Sequence, residues 1–330
     1  MDLPLASALV AAFALTLYVM LDGFDLGVGA LLPLVHDEPD RDRMVASIAP
    51  TWDGNETWLI MAGVALLAAF PVAYGVLLPA FYLPLIAMLL SLGLRGVSVE
   101  FRFQTIAGRR FWDGAFAFGS IVAALAQGLI VGGLLQGVAV DGDRFAGSVF
   151  DVFRPLPIVV ALAVLSGYAT LGAGWLHLKT DGPLRSFAER VLRPLAFGFW
   201  FFSAAAVTLT TLLVPAARHA WTQHPAGLAF IAAGATAALG LLVRSVGGRR
   251  DGAPLALGVA AYALELAALG VLLFPFVIPY RRDLWSAASP TLSHVFLLAG
   301  VALVGPVVLA YTAFAYRVFR GKTPVEGWGA

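Results

Sequence analysis

The 330-residue chain has no cysteine, which excludes disulfides, thiolate-bound metals and cysteine nucleophiles. Charge is scarce as well: Asp, Glu, Lys and Arg make up 12% of the residues, against roughly one quarter in a soluble domain. The net charge of +1 offers no electrostatic reason to expect nucleic acid as a partner. Histidine is sparse. The five (His36, His177, His219, His224 and His294) fall mostly in loops or at helix ends, a poor set for axial haem ligation deep in the chain. There is no Glu-x-x-His pair on a helix, no phosphate loop, no dinucleotide fingerprint and no nucleophile elbow. No basic region precedes the first apolar run and no clear small-residue cleavage site follows it. Residues 3–21 therefore read as a retained helix, not a signal peptide.

What the chain has in abundance is apolar sequence: 60% of residues are hydrophobic and mean hydropathy is +0.87. Many apolar runs reach the length of about 20 residues that a helix needs to cross a bilayer, which makes this an integral membrane protein. Alternating ten-residue segments, the mark of a membrane barrel, are absent. We place spans at about 4–34, 52–70, 74–98, 112–138, 156–177, 195–215, 226–246, 254–278 and 292–316, joined by short loops. Of the 21 basic residues, sixteen fall on one side of these spans and five on the other, the N-terminal side. The excess marks the cytoplasmic face, so the N-terminus is expected outside and the C-terminus in the cytoplasm.

Acids within or beside these runs are the candidate functional residues, because a carboxylate at the membrane centre costs about 2.5–3.5 kcal/mol on insertion scales. Asp22 and Asp25 lie inside the first span, three apart and so on one helix face. They fit an internal protonatable role, and also interfacial solvation or a helix break. Gly23 and Gly27 beside them have the spacing of a close helix contact. Asp53, Asn55 and Glu56 open the second span, flanked by Trp52 and Trp58. Asp53 and Glu56 also have the spacing of a capping box, which competes with a functional reading. Arg95 ends the third span, where its default is to snorkel to lipid phosphate and its alternative is to pair with an acid of the first two spans. Pro79 and Pro84 read as a kink. Gln127 suits a helix–helix hydrogen bond, and Glu265 is a lone midspan carboxyl that is either functional or bonded to a neighbouring backbone.

Taken together, the stretches Asp22-Gly-Phe-Asp-Leu-Gly-Val-Gly29, Ser47-Ile-Ala-Pro-Thr-Trp-Asp-Gly-Asn-Glu56 with Trp58-Leu-Ile, Leu134-Leu-Gln-Gly-Val138 and Phe274-Pro-Phe-Val-Ile-Pro279 resemble subunit II of the cytochrome bd quinol oxidases. The likeness covers nearly the whole chain in order. It implies an all-α polytopic membrane fold of nine transmembrane helices within a single integral domain, 1–330. These form two four-helix bundles, about 1–140 and 155–280, and one additional helix, about 290–318. The resemblance further implies a bacterial cytoplasmic-membrane complex that oxidises quinol and reduces dioxygen to water. In it, haems b and d sit in a separate subunit I, with room for a small single-helix subunit and surrounding membrane lipid. Some family members carry a structural quinone in subunit II. The compact loops are more similar to the cyanide-insensitive branch. Subunit II is expected to stabilise its haem-bearing partner and to line a cytoplasmic proton path. The family's channel acid falls on Asp53, and Asp25 and Arg95 match other family positions, with Glu56 and Asp22 near enough to extend a relay and Trp52 and Asn55 in support. A proton-coupled transporter and a purely structural partner subunit are the competing readings.

Overall fold

The computed structural model describes residues 2–105, 108–248 and 250–324. Its helices are α1 (Leu3–Leu31), α2 (Glu38–Ile48), α3 (Trp52–Ala69), α4 (Pro71–Ala80), α5 (Tyr82–Gln104) and α6 (Arg109–Gln136) in the first half. The second half holds α7 (Pro155–Lys179), α8 (Gly182–Leu213), α9 (Pro215–Gln223), α10 (Pro225–Ser245), α11 (Ala253–Leu273) and α12 (Thr291–Val318). Eight of these, α1, α5–α8 and α10–α12, are long and apolar enough to cross a membrane. The fold is thus an all-α, multi-span membrane architecture. Helix α3 is apolar from Trp58 onward, but its polar first turns lower its mean hydropathy and it is not one of the eight.

Helix α1 is the hub, packed against α3, α6, α7 and, more lightly, α12. Glycine makes its contact with α7 possible: a Cβ placed on Gly27 would lie 1.8 Å from the carbonyl oxygen of Tyr168, and one on Gly172 would lie 2.4 Å from the carbonyl carbon of Gly27. The two backbones touch, as the spacing of Gly23 and Gly27 predicts. Phe24 of α1 stacks on Trp175 of α7 at 4.2 Å, and Trp175 Nε1 donates to Ser47 Oγ of α2. Helix α2 therefore closes the end of the bundle from which α3 starts, burying Met44, Val45 and Ile48.

Three element boundaries differ from the sequence expectation. The apolar run from Tyr74 to Ser98 is not one kinked span but the end of α4 followed by α5, with a break at Phe81 between Pro79 and Pro84. Helix α4 is apolar because it is buried, its Ala73, Val76 and Leu77 packing against Phe70, Phe81 and Ile278, and hydropathy alone cannot separate that from lipid contact. The span expected to end at Ile278 stops at Leu273, since Pro275 lacks the N–H to continue it; residues Phe276–Ile278 form a strand that pairs with Arg282–Asp283. Finally α8 starts at Gly182, between three and four turns before the apolar segment expected from 195, because a helix needs no apolar residues where it leaves the bilayer.

Candidate functional site

Helices α1, α3 and α5 bring the acids of the first two spans and Arg95 to one place. Arg95 is 0% exposed, and its Nη2 donates to Asp22 Oδ1 at 2.6 Å and to Glu56 Oε2 at 3.2 Å. Its guanidinium also lies 5.3 Å from the centre of the Trp52 ring, a cation–π contact. The snorkelling expected by default does not occur: amphipathic α5, about six turns long, turns this side chain inward, and two carboxylates hold it there. One turn further along α1, Asp25 Oδ2 accepts from Asn55 Nδ2 at 2.7 Å, and Asn55 Oδ1 accepts from the Tyr316 hydroxyl of α12 at 2.9 Å. Asp22 and Asp25, three residues apart, thus share a face but have different partners.

Exposure falls steeply along this group. The Glu56 side chain is 27% exposed, while those of Asp22 and Arg95 are 0% exposed. Asp53, one turn earlier on α3, is exposed and has no side-chain hydrogen bond or ion pair with any described residue. No capping box forms: Thr51 occupies the N-cap, and the helix has no side-chain cap. Deeper in, Asp22 Oδ2 and Asp25 Oδ1 are buried and accept no hydrogen bond from described residues, and buried Arg95 Nε and Nη1 donate none to them. Buried polar atoms of this kind are where ordered water bonds.

The sequence profile of the cytochrome bd terminal oxidase subunit II family matches residues 3–319. This chain belongs to that family. Subunit 2 of the cytochrome bd-I ubiquinol oxidase of Escherichia coli K12 is 30% identical over 98% of this chain and 94% of its own length. The cytochrome bd ubiquinol oxidase subunit 2 of Bacillus subtilis is 28% identical over 92% of each. Among solved structures, the bd oxidase of Geobacillus thermodenitrificans superimposes with a TM-score of 0.79 at 15% identity, covering 97% of this chain and 99% of that one, a likeness of fold. The chain is accordingly a subunit of a quinol oxidase complex, an oxidoreductase of the respiratory chain.

Two further polar groups in this bd subunit were not legible as units. Gln127 of α6 donates to the Tyr18 hydroxyl at 2.7 Å and accepts from the Tyr168 hydroxyl at 2.6 Å, which ties α1, α6 and α7 beneath the acid cluster. The bond across helices was the expectation for Gln127, but its partners are isolated tyrosines with no sequence signal. In the last turn of α5, Arg102 is 1% exposed and binds Asp113 of α6 at 2.5 Å and Asp42 of α2 at 2.7 Å, and Arg41 adds a second contact to Asp113 at 3.1 Å. Sequence reading passed over this network because each member sits at a helix end, where charge is ordinary. Glu265 accepts from Ser203 Oγ of α8 at 3.0 Å, a side-chain partner where a backbone one was the expected alternative.

Proposed function

We propose that this chain is a haem-free subunit II with nine spans, α3 being the ninth, and that Asp53, Glu56, Asp22 and Asp25 carry protons from the cytoplasm toward a haem-bearing subunit I. Arg95, Asn55 and Trp52 hold that path in shape. The observation that carries the reading is the graded burial from exposed Asp53 through Glu56 to fully enclosed Asp22, with Arg95 bonded to both of the latter. One guanidinium faces three carboxyl groups, so the charge-neutral form of the cluster holds two protons. A buried group of this composition is favoured when it can take up and release protons without leaving a net charge in the membrane. Its unpartnered oxygens and nitrogens suit a chain of water. The exposed side of Asp53 suits either cytoplasm or a partner chain.

Haems b and d are assigned to subunit I. Supporting this, His177 has Nδ1 within 2.9 Å of the Asp251 carbonyl and Nε2 3.2 Å from Glu189, while His294 has Nδ1 on Ser7 Oγ and Phe70 against its ring. The helices group as two four-helix bundles with α12 as the additional helix, and the complex lies in the bacterial cytoplasmic membrane with the N-terminus outside. The basic side of the chain, which includes the ends of α2, α5 and α8, then faces the cytoplasm. The oxidase oxidises quinol and reduces dioxygen to water, and this subunit stabilises the assembly.

Replacing Asp53 by Asn in the assembled complex tests the proton role. We expect oxygen consumption and proton uptake to fall about 100-fold, the low side of what loss of a proton-transferring group costs, with haem content per complex unchanged. Unaltered turnover with intact haems removes the conducting role, and lost assembly with normal turnover per haem leaves only the structural one.

A further inference from the structure

At the end of α8 where the chain enters the bilayer lies a cavity of about 750 Å³, lined by Ser186, Glu189, Arg190 and Arg193 of α8 and by Val246 and Gly247 after α10. It is remote from the acid cluster and nothing above uses it. Arg190 and Arg193 are both exposed, and neither has a hydrogen bond or ion pair with any described residue. The acid in the lining is already committed, since Glu189 Oε1 accepts from Arg185 Nε at 3.2 Å and lies 3.2 Å from His177 Nε2. The cavity therefore presents two uncompensated guanidinium groups.

Their depth is set by the helix. From Pro194 to Leu213 the sequence of α8 is uncharged, about twenty residues and hence roughly 30 Å, one hydrocarbon thickness. Arg193 and Arg190 are the first charges beyond it and stand at headgroup level. The same face continues into the bilayer, because 193, 197, 200 and 201 are spaced by one and two helical turns. Phe197, Trp200 and Phe201 there are 64%, 40% and 51% exposed. Trp200 is held in place by its Nε1 donating to Thr236 Oγ1 of α10 at 3.3 Å. A paired cationic seat above an aromatic strip matches a molecule with an anionic head and apolar tails.

We propose that this cavity seats the phosphate of an anionic phospholipid, gripped by Arg190 and Arg193, with its acyl chains along Phe197, Trp200 and Phe201. The lipid bridges the start of α8 and the turn after α10, so it belongs to the protein's structure and not to the bulk bilayer. Guanidinium forks suit phosphate oxygens, and Glu189 keeps its own pairing without competing.

The test uses the intact, delipidated oxidase in detergent and phospholipids brominated on their chains, which quench nearby tryptophan. The difference between the unaltered protein and W200F isolates Trp200. Phosphatidylglycerol should saturate this quenching at a lower mole fraction than phosphatidylcholine, by about fivefold per arginine and roughly 30-fold for the pair. Replacing both arginines by Gln should abolish the preference, while R190K/R193K should keep most of it, which separates loss of charge from loss of fold. Equal quenching by the two lipids in the unaltered protein, or a preference that survives R190Q/R193Q, overturns the proposal. Displacement by millimolar glycerol 3-phosphate also overturns it, in favour of a soluble-anion site.

Discussion

Arg95 decides the character of the acid cluster. A fully buried guanidinium between two carboxylates is not strong evidence of added stability, because desolvation offsets the attraction; removing one partner, however, strands charge in a dry place. Arg95→Gln should therefore destabilise the assembled complex by about 3–5 kcal/mol, seen as a lower temperature of haem release. Adding Asp22→Asn should restore part of the loss, and strict additivity of the two changes would show that the pair is uncoupled. The acids and Arg95 were legible as candidates because charge inside an apolar run stands out. That Arg95 turns inward to Asp22 and Glu56 was not legible, since snorkelling and pairing begin from the same position at a helix end.

Between elements, two devices join helices that the sequence leaves apart. The first is the glycine contact of α1 with α7. Gly27→Val should prevent assembly or lower stability by several kcal/mol, because the carbonyl of Tyr168 occupies the space a side chain needs. Gly240→Ala, where an added Cβ would meet no atom within 4 Å beyond its own stretch of helix, should leave assembly unchanged on the same heat-inactivation assay. The second is a latch at the C-terminal end: Lys322 Nζ lies 2.9 Å from Asp251 and 3.4 Å from Asp181, while the Thr323 amide donates to the Lys179 carbonyl at 2.7 Å. Hydrogen bonds from Lys322 and then Arg185 hold the Asp251 carboxyl below its usual range. A carboxyl depressed on folding contributes fully above its unfolded pKa, about 3.9, and loses that contribution as pH falls through the lower folded value. Amide-exchange protection of Thr323, corrected for intrinsic rate, should therefore hold at neutral pH and begin to fall only below about pH 4, as the pH drops toward the lower folded value. Asp251→Asn should lose it already at neutral pH.

For the molecule as a whole, the proposed nine spans would put the two termini on opposite sides of the membrane. The absence of cysteine makes this directly measurable, because any single cysteine introduced is the only thiol of this chain. With the N-terminus outside, Arg144→Cys in the exposed hairpin after α6 should react with an impermeant maleimide in intact cells, and exposed His36→Cys before α2 only after the membrane is opened. The reverse pattern would invert the orientation and place Asp53 on the wrong side for proton uptake from the cytoplasm.

Hydropathy and charge are local quantities, and by themselves they determined the membrane class, most of the helices and the bias of basic residues to one side. A bilayer demands about 20 apolar residues wherever a helix crosses, so that requirement is written directly into the chain. Motif resemblance added the family. What only the tertiary structure decided is which polar groups meet: Arg95 with Asp22 and Glu56, Asn55 with Asp25 and Tyr316, Gln127 with Tyr18 and Tyr168. These partners lie between 30 and 261 residues apart in the chain. A pairing across that separation depends on how the helices rotate and cross, which is set by contacts such as the glycine seam of α1 with α7 and leaves no pattern within any one segment.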